Sequence, residues 1–122
     1  MMKENTSLSF ELLMETIVDF GFKPIDAQVY IFLAKKGPKR GKDLINSLRI
    51  TKQQLYPSLR NLKERRIVNS TNERPAIFSA VPLERVLDAL IKTRIEETQR
   101  MILNKEELLS RWQLMARNGL ET

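Results

Sequence analysis

The chain has 122 residues, enough for one domain plus at most an accessory element. It carries 21 Lys and Arg against 15 Asp and Glu, a net charge of +6, and apolar residues make up 42%. It has no cysteine and no histidine, which excludes disulfides, thiolate metal sites, cysteine catalysis and the usual general base of hydrolases. No apolar run approaches the roughly 18–20 residues of a membrane span. The polar stretch Met1–Ser9 lacks a signal-peptide core, so the expected location is cytoplasmic.

From Leu8 to Phe20 the apolar residues Leu8, Leu12, Leu13, Ile17, Val18 and Phe20 recur at helical spacing. Gly21 suits the end of that helix. Pro24 suits the first turn of a second, with a core face of Ile25, Val29, Tyr30, Phe32 and Leu33 and an end at Gly37-Pro38. A short third helix follows, with Leu44, Ile45 and Leu48 inward, and Arg49-Ile50 makes a tight connection. Thr51 is a good N-cap for a fourth helix running from Lys52 to about Arg65. Leu55, Leu59 and Leu62 form its apolar stripe.

Two short strands come next, Ile67–Ser70 and Ala76–Val81, joined by the turn-prone segment Thr71–Pro75 as a β-hairpin. Pro82 opens a long helix reaching about Arg117, roughly 50 Å at 1.5 Å per residue. Three helices with a tight turn before the last, then a hairpin, make a winged helix-turn-helix. The expected class is mainly α (α+β), with a two-stranded wing. The expected domains are 1–82 for the winged helix and 83–122 for a C-terminal dimerisation helix.

Charge is concentrated on the same motif. Residues 1–34 carry a net −3, residues 35–66 a net +9, and residues 67–122 are balanced. Such a patch attracts a polyanion. The second helix of a helix-turn-helix enters the major groove. Opposite its leucine stripe stand Gln53, Pro57, Arg60 and Glu64, with Gln54 and Asn61 at the edge. Gln and Asn can bind adenine bidentately and Arg can bind guanine, so Gln53, Gln54, Arg60 and Asn61 are the base-reading candidates. Lys39, Arg40 and Lys42, placed at the start of the third helix, together with Thr51, Lys52, Asn72 and Arg74, are the candidates for the DNA backbone. Tyr56 is expected to pack, with its hydroxyl toward the backbone. Pro57 removes the donor to the Gln53 carbonyl.

In the last helix Leu87, Ile91, Ile95, Thr98, Ile102, Lys105, Leu109 and Trp112 follow steps of four and three. This is a coiled-coil seam, widened by Met101, Leu108 and Met115. Homodimerisation is the expected use. Fold-back onto the first helix or a different protein partner are the alternatives.

Three segments resemble the TrmB-like winged-helix regulators, a mainly archaeal family. Phe22-Lys-Pro-Ile-Asp-Ala-Gln-Val-Tyr30-Ile-Phe-Leu33 is similar to their GLTEYEAKVYLAL opening. The segment Ile50–Val68 is similar to their VPRSKVYEVLESLVEKGLV recognition helix. Arg74-Pro75-Ala-Ile-Phe78-Ser-Ala80-Val-Pro82 resembles their RPRRYRAVP wing exit. The resemblance implies sequence-specific regulation of transcription, usually as a dimer on double-stranded DNA, without enzymatic activity. Longer members add a sugar-binding effector domain. This chain ends where that domain would begin, so no sugar, small-molecule effector, cofactor or metal is expected. Three departures stand out: Arg66 where the family often has Gly, Pro57 within the recognition helix, and Arg40-Gly41-Lys42 where small and hydroxyl residues are usual. A winged-helix protein-interaction module, or an architectural DNA-binding protein with little sequence preference, is the alternative function.

Overall fold

The computed structural model describes residues 2–119, with side chains from Leu8 onward. Two compact units divide the chain, Met1–Val86 and Leu87–Thr122.

The first unit opens with α1 (Met2–Asp19) and α2 (Pro24–Lys36). Helix α1 starts earlier than its apolar spacing predicts. Ile17 is its buried contact, while Leu8 and Leu12 are 63% and 65% exposed. Gly21, at φ +95°, takes the left-handed turn that a side chain would resist. Helix α2 is covered on several sides, by α1, by α4 (Lys52–Glu64) and by strand β3 (Ile77–Ala80). Its buried set therefore differs from the single face expected from sequence. Val29, Tyr30 and Leu33 are buried as predicted, and Asp26, Ala27 and Ile31 are buried too, whereas Ile25 and Phe32 are only half-buried. The Tyr30 hydroxyl donates to the Val81 carbonyl at 2.6 Å. Burial pushes its pKa up to about 12.

Strand β1 (Lys39–Arg40) and helix α3 (Gly41–Leu48) follow. The strand corrects the sequence expectation in two ways. Lys39 and Arg40 are extended rather than helical, and the sheet has three strands in the order β1-β3-β2 instead of a two-stranded wing. Lys39 pairs with Phe78 and Arg40 with Ile77, while Val68, Asn69 and Ser70 of β2 (Val68–Ser70) pair with Ala80, Ser79 and Phe78. A hairpin leaves one side of β3 with unpaired backbone groups, and the segment after Pro38 fills it. It is too short to show the period-two alternation of a strand.

Helix α3 ends at Arg49, whose φ of +55° is left-handed. The Arg49 and Ile50 amides both donate to the Ile45 carbonyl. Leu44 is fully buried, and Ile45 and Leu48 are half-buried. Helix α4 presents Leu55, Leu59 and Leu62 inward at no more than 2% exposure. It ends at Glu64, just short of the expected Arg65. Arg66 takes φ +61°. This is the conformation a glycine would adopt without strain, and here a less permissive residue makes the turn.

Helix α5 runs Leu83–Asn118, 36 residues in all, or roughly 54 Å. Pro82 accepts its first amide bond, from Val86. Leu87 is half-buried, and every residue from Ile91 to Gly119 is exposed. None of the described helices is long and apolar enough to cross a membrane.

Candidate nucleic-acid interface

The leucine stripe fixes which side of α4 meets solvent. With Leu55, Leu59 and Leu62 in the core, Gln53, Pro57, Arg60 and Glu64 point outward and are exposed. Gln53 and Arg60 make no side-chain hydrogen bond among the described residues, so their full donor and acceptor sets face outward.

The other two base-reading candidates are partly engaged by the fold. Thr51 and Gln54 form a reciprocal cap. The Gln54 amide donates to Thr51 Oγ1 at 3.1 Å, and the Thr51 amide donates to Gln54 Oε1 at 2.9 Å. The carbonyl oxygen of Gln54 is thus occupied at the helix N-terminus, leaving its NH₂ end. Thr51, a backbone candidate, is exposed but its hydroxyl is spent on the same cap. Asn61 is half-buried and its Nδ2 donates to Asp26 Oδ2 at 3.1 Å. One of its two N–H donors is thus engaged within the fold, because α2 packs against the edge of α4 that a helical wheel alone leaves open.

Asp26 organises that edge. It is 2% exposed. Oδ1 accepts from Ser58 Oγ at 2.6 Å, and Oδ2 accepts from Asn61 and from the Lys23 amide at 3.1 Å each. One buried carboxylate therefore caps α2 and grips α4 at two points. No described buried side-chain polar atom lacks a partner. Sequence reasoning missed Asp26 and Ser58 as anchors. The signal was present: a carboxylate at the third position of a helix whose first is Pro24.

Arg65 belongs to the net-positive segment 35–66. It is tied down, with Nη2 donating to the Phe20 carbonyl at 3.2 Å and the guanidinium 3.7 Å from the Phe22 ring centroid. The other cations remain available. Arg40, Lys42 and Lys52 are exposed, Lys39 is half-buried in β1, and Asn72 and Arg74 are exposed on the β2–β3 connection. Strand β1 sets Lys39 and Arg40 against the wing, and Arg40 also precedes the first turn of α3.

Helices α3 and α4 meet at Gly41. A Cβ there would strike the Tyr56 hydroxyl and lie 3.1 Å from Tyr56 Cζ. A larger residue at Gly41 would push the Tyr56 side chain aside; the hydroxyl lies toward the Gly41 backbone as expected, but the tyrosine is 42% exposed rather than packed. Between α4 and β3 a groove of about 360 Å³ is lined by Tyr56, Leu59, Arg60, Lys63, Glu64 and Phe78. No group of acidic side chains among the described residues could hold a metal ion.

The family described as "Sugar-specific transcriptional regulator TrmB" matches residues 17–84. No curated protein matches in sequence. Among solved structures the chain is similar to the transcriptional regulator Tm0710 from Thermotoga maritima, at 16% identity and a TM-score of 0.56, over 98% of this chain and 92% of that one. It is also similar to the YusO protein from Bacillus subtilis, at 15% identity and a TM-score of 0.53, over 98% and 90% of the two chains. Those likenesses carry the winged-helix fold. The family match spans more than half of the chain and runs from the end of α1 through the wing to the start of α5. The chain belongs to the TrmB family, and it is a DNA-binding transcription regulator rather than an enzyme.

Proposed function

We propose that the protein regulates transcription as a cytosolic homodimer that reads double-stranded DNA sequence-specifically. Helix α4 enters the major groove, and the wing, 67–81, follows the adjacent backbone or minor groove. The winged helix, 1–82, supplies the DNA contacts and the helix segment 83–122 joins the two copies. The observation that carries this reading is the outer face of α4. Gln53 and Arg60 stand exposed and unengaged, directly opposite a leucine stripe that holds the helix rigidly in place.

Within that face Gln53 and Arg60 read base edges, and Gln54 contributes through its NH₂ end. Asn61 sets the helix in place through Asp26. Lys39, Arg40, Lys42, Lys52, Asn72 and Arg74 hold phosphates, with Thr51 fixing the helix end that approaches them. The reading assigns no sugar, cofactor or metal.

Selection of bound sequences from random duplex DNA tests it. The expected outcome is enrichment of a two-fold symmetric motif. Binding without enrichment would transfer the protein to the architectural class, and no binding at all would favour a protein-interaction module.

A further inference from the structure

Helix α5 also carries information on how two copies would pair. From Ile91 to Ala116 it is exposed along its whole length, and this stretch lies entirely within the second compact unit. In heptad terms Ile95, Ile102, Leu109 and Ala116 occupy a, and Ile91, Thr98, Lys105 and Trp112 occupy d. The two flanks are unlike. The g positions are Arg94 followed by Met101, Leu108 and Met115. The e positions are Lys92, Gln99, Glu106 and Gln113. The apolar surface of the C-terminal half is therefore lopsided and spans roughly 140° at 100° per residue, wider than a two-position seam.

Parallel and antiparallel pairs treat such a surface differently. In a parallel pair like faces like in the core, so Lys105 would meet the partner's Lys105 and Trp112 the partner's Trp112. Each apolar g flank would also face a polar e flank, on both sides of the pair. In an antiparallel pair a faces d, g faces g and e faces e. One flank then becomes apolar at its centre, where Met101 and Leu108 meet, with Arg94 beside the partner's Met115 at each end, and the other is wholly polar.

We propose, resting on the homodimer reading above, that two copies pair their α5 helices antiparallel, with Ile102 set against the partner's Lys105. This register puts Ile95 against the partner's Trp112, Thr98 against the partner's Leu109 and Ile91 against the partner's Ala116. Large residues oppose smaller or flexible ones throughout. Met101 packs beside the partner's Leu108 on the apolar flank, and Gln99 faces the partner's Glu106 on the polar one. The Thr98 hydroxyl already donates to the Arg94 carbonyl at 2.9 Å, so it enters the seam without an unpaired polar group. Lys105 lays its methylene stem along the partner's Ile102 and carries its ammonium to solvent. Met101, Ile102 and Leu108, which are 71%, 65% and 60% exposed in the single chain, are covered together.

The absence of cysteine from the chain makes the test direct. In a parallel pair Thr98→Cys would lie opposite itself. In the antiparallel register its two copies are roughly 16 Å apart along the axis, beyond the Cα separation of up to about 7 Å that a disulfide spans. Under mild oxidation neither Thr98→Cys nor Leu109→Cys alone should give a covalent dimer. The two variants mixed and allowed to exchange subunits should give the mixed disulfide. Self-linking of either variant overturns the antiparallel arrangement, and a mixture that stays unlinked overturns the register. A nitroxide on Lys92→Cys provides a second measurement that needs no seam substitution. The spin–spin distance should reach at least roughly 30 Å, whereas helices side by side in parallel would hold the labels near the interaxial spacing of about 10 Å. Sedimentation of the unmodified protein separates the two levels. A monomer at high micromolar concentration removes the homodimer reading itself, while a dimer with self-linked Thr98→Cys leaves that reading standing and removes only the orientation.

Discussion

Helices α4 and α5 carry apolar stripes of similar spacing and different fate. In α4 the stripe Leu55, Leu59 and Leu62 is at most 2% exposed. In α5 Ile95 and Ile102 remain 51% and 65% exposed. The first is closed by its own chain, and the second stays open to solvent. Helical periodicity states which face of a helix wants cover. It does not state who provides it, because that depends on which elements pack against the helix.

The sharpest way to break this contrast is to charge the open stripe. Changing Ile102 and Leu109 together to Asp is expected to abolish dimerisation while leaving the winged unit folded. Sedimentation reads the first effect and circular dichroism with a preserved thermal transition reads the second. Loss of the transition would mean that α5 supports the winged fold directly.

The closed stripe should respond in the opposite sense. Leu59→Ala is expected to destabilise folding by about 2–5 kcal/mol, the cost of a cavity in a packed core. Thermal unfolding of the dilute monomer should show this, whereas Ile102→Ala should barely move that transition.

A smaller effect tests how the same helix divides anchoring from reading. Asp26→Ala leaves Ser58, Asn61 and the Lys23 amide without their acceptor, and should cost about 1–3 kcal/mol of stability. Gln53→Ala should spare stability and cost about 1–3 kcal/mol on the preferred DNA site alone. Arg40→Ala should weaken specific and random DNA alike and reduce the salt slope by about one. Quantitative binding over a salt series distinguishes the three. Equal losses on specific and random DNA for Gln53→Ala would show that α4 does not read bases.

The five helices and the hairpin, the leucine stripe, the Thr51 cap and the Gly21 turn were legible in the sequence because each is a local signal: a period, a hydroxyl before a helix, a residue free at positive φ. What was not legible depends on distant partners. The pairing of Lys39 and Arg40 with β3 joins segments nearly forty residues apart. The bond from Asn61 to Asp26 could not be read locally, because the two residues lie 35 positions apart. Arg65 looked like one more surface cation until Phe20 and Phe22 were brought beneath it. Composition locates charge along the chain, but only packing decides which charges remain available.

The smallest expected effect concerns Tyr30. Its phenol titrates near 10 in the unfolded chain and at about 12 when buried. Folding therefore favours the protonated form, and the associated stability is intact below pH 10 and lost as pH rises toward 12. Tyr30→Phe should flatten that alkaline loss and cost about 1 kcal/mol at neutral pH through the missing bond to Val81. Denaturant titrations between neutral pH and pH 11 measure both.

Strand β1 gives the winged unit a mechanical property. Its residues are hydrogen-bonded to the wing on one side and run straight into α3 on the other, and α3 touches α4 through Gly41 and Tyr56. Wing, cation-bearing strand and recognition helix are thereby coupled like parts of one casting. Were Arg40 to hold a phosphate, as proposed, the load would reach the hairpin as well as the helix. The ordering of these contacts is completed when the chain folds, so the docking step forfeits little further conformational freedom.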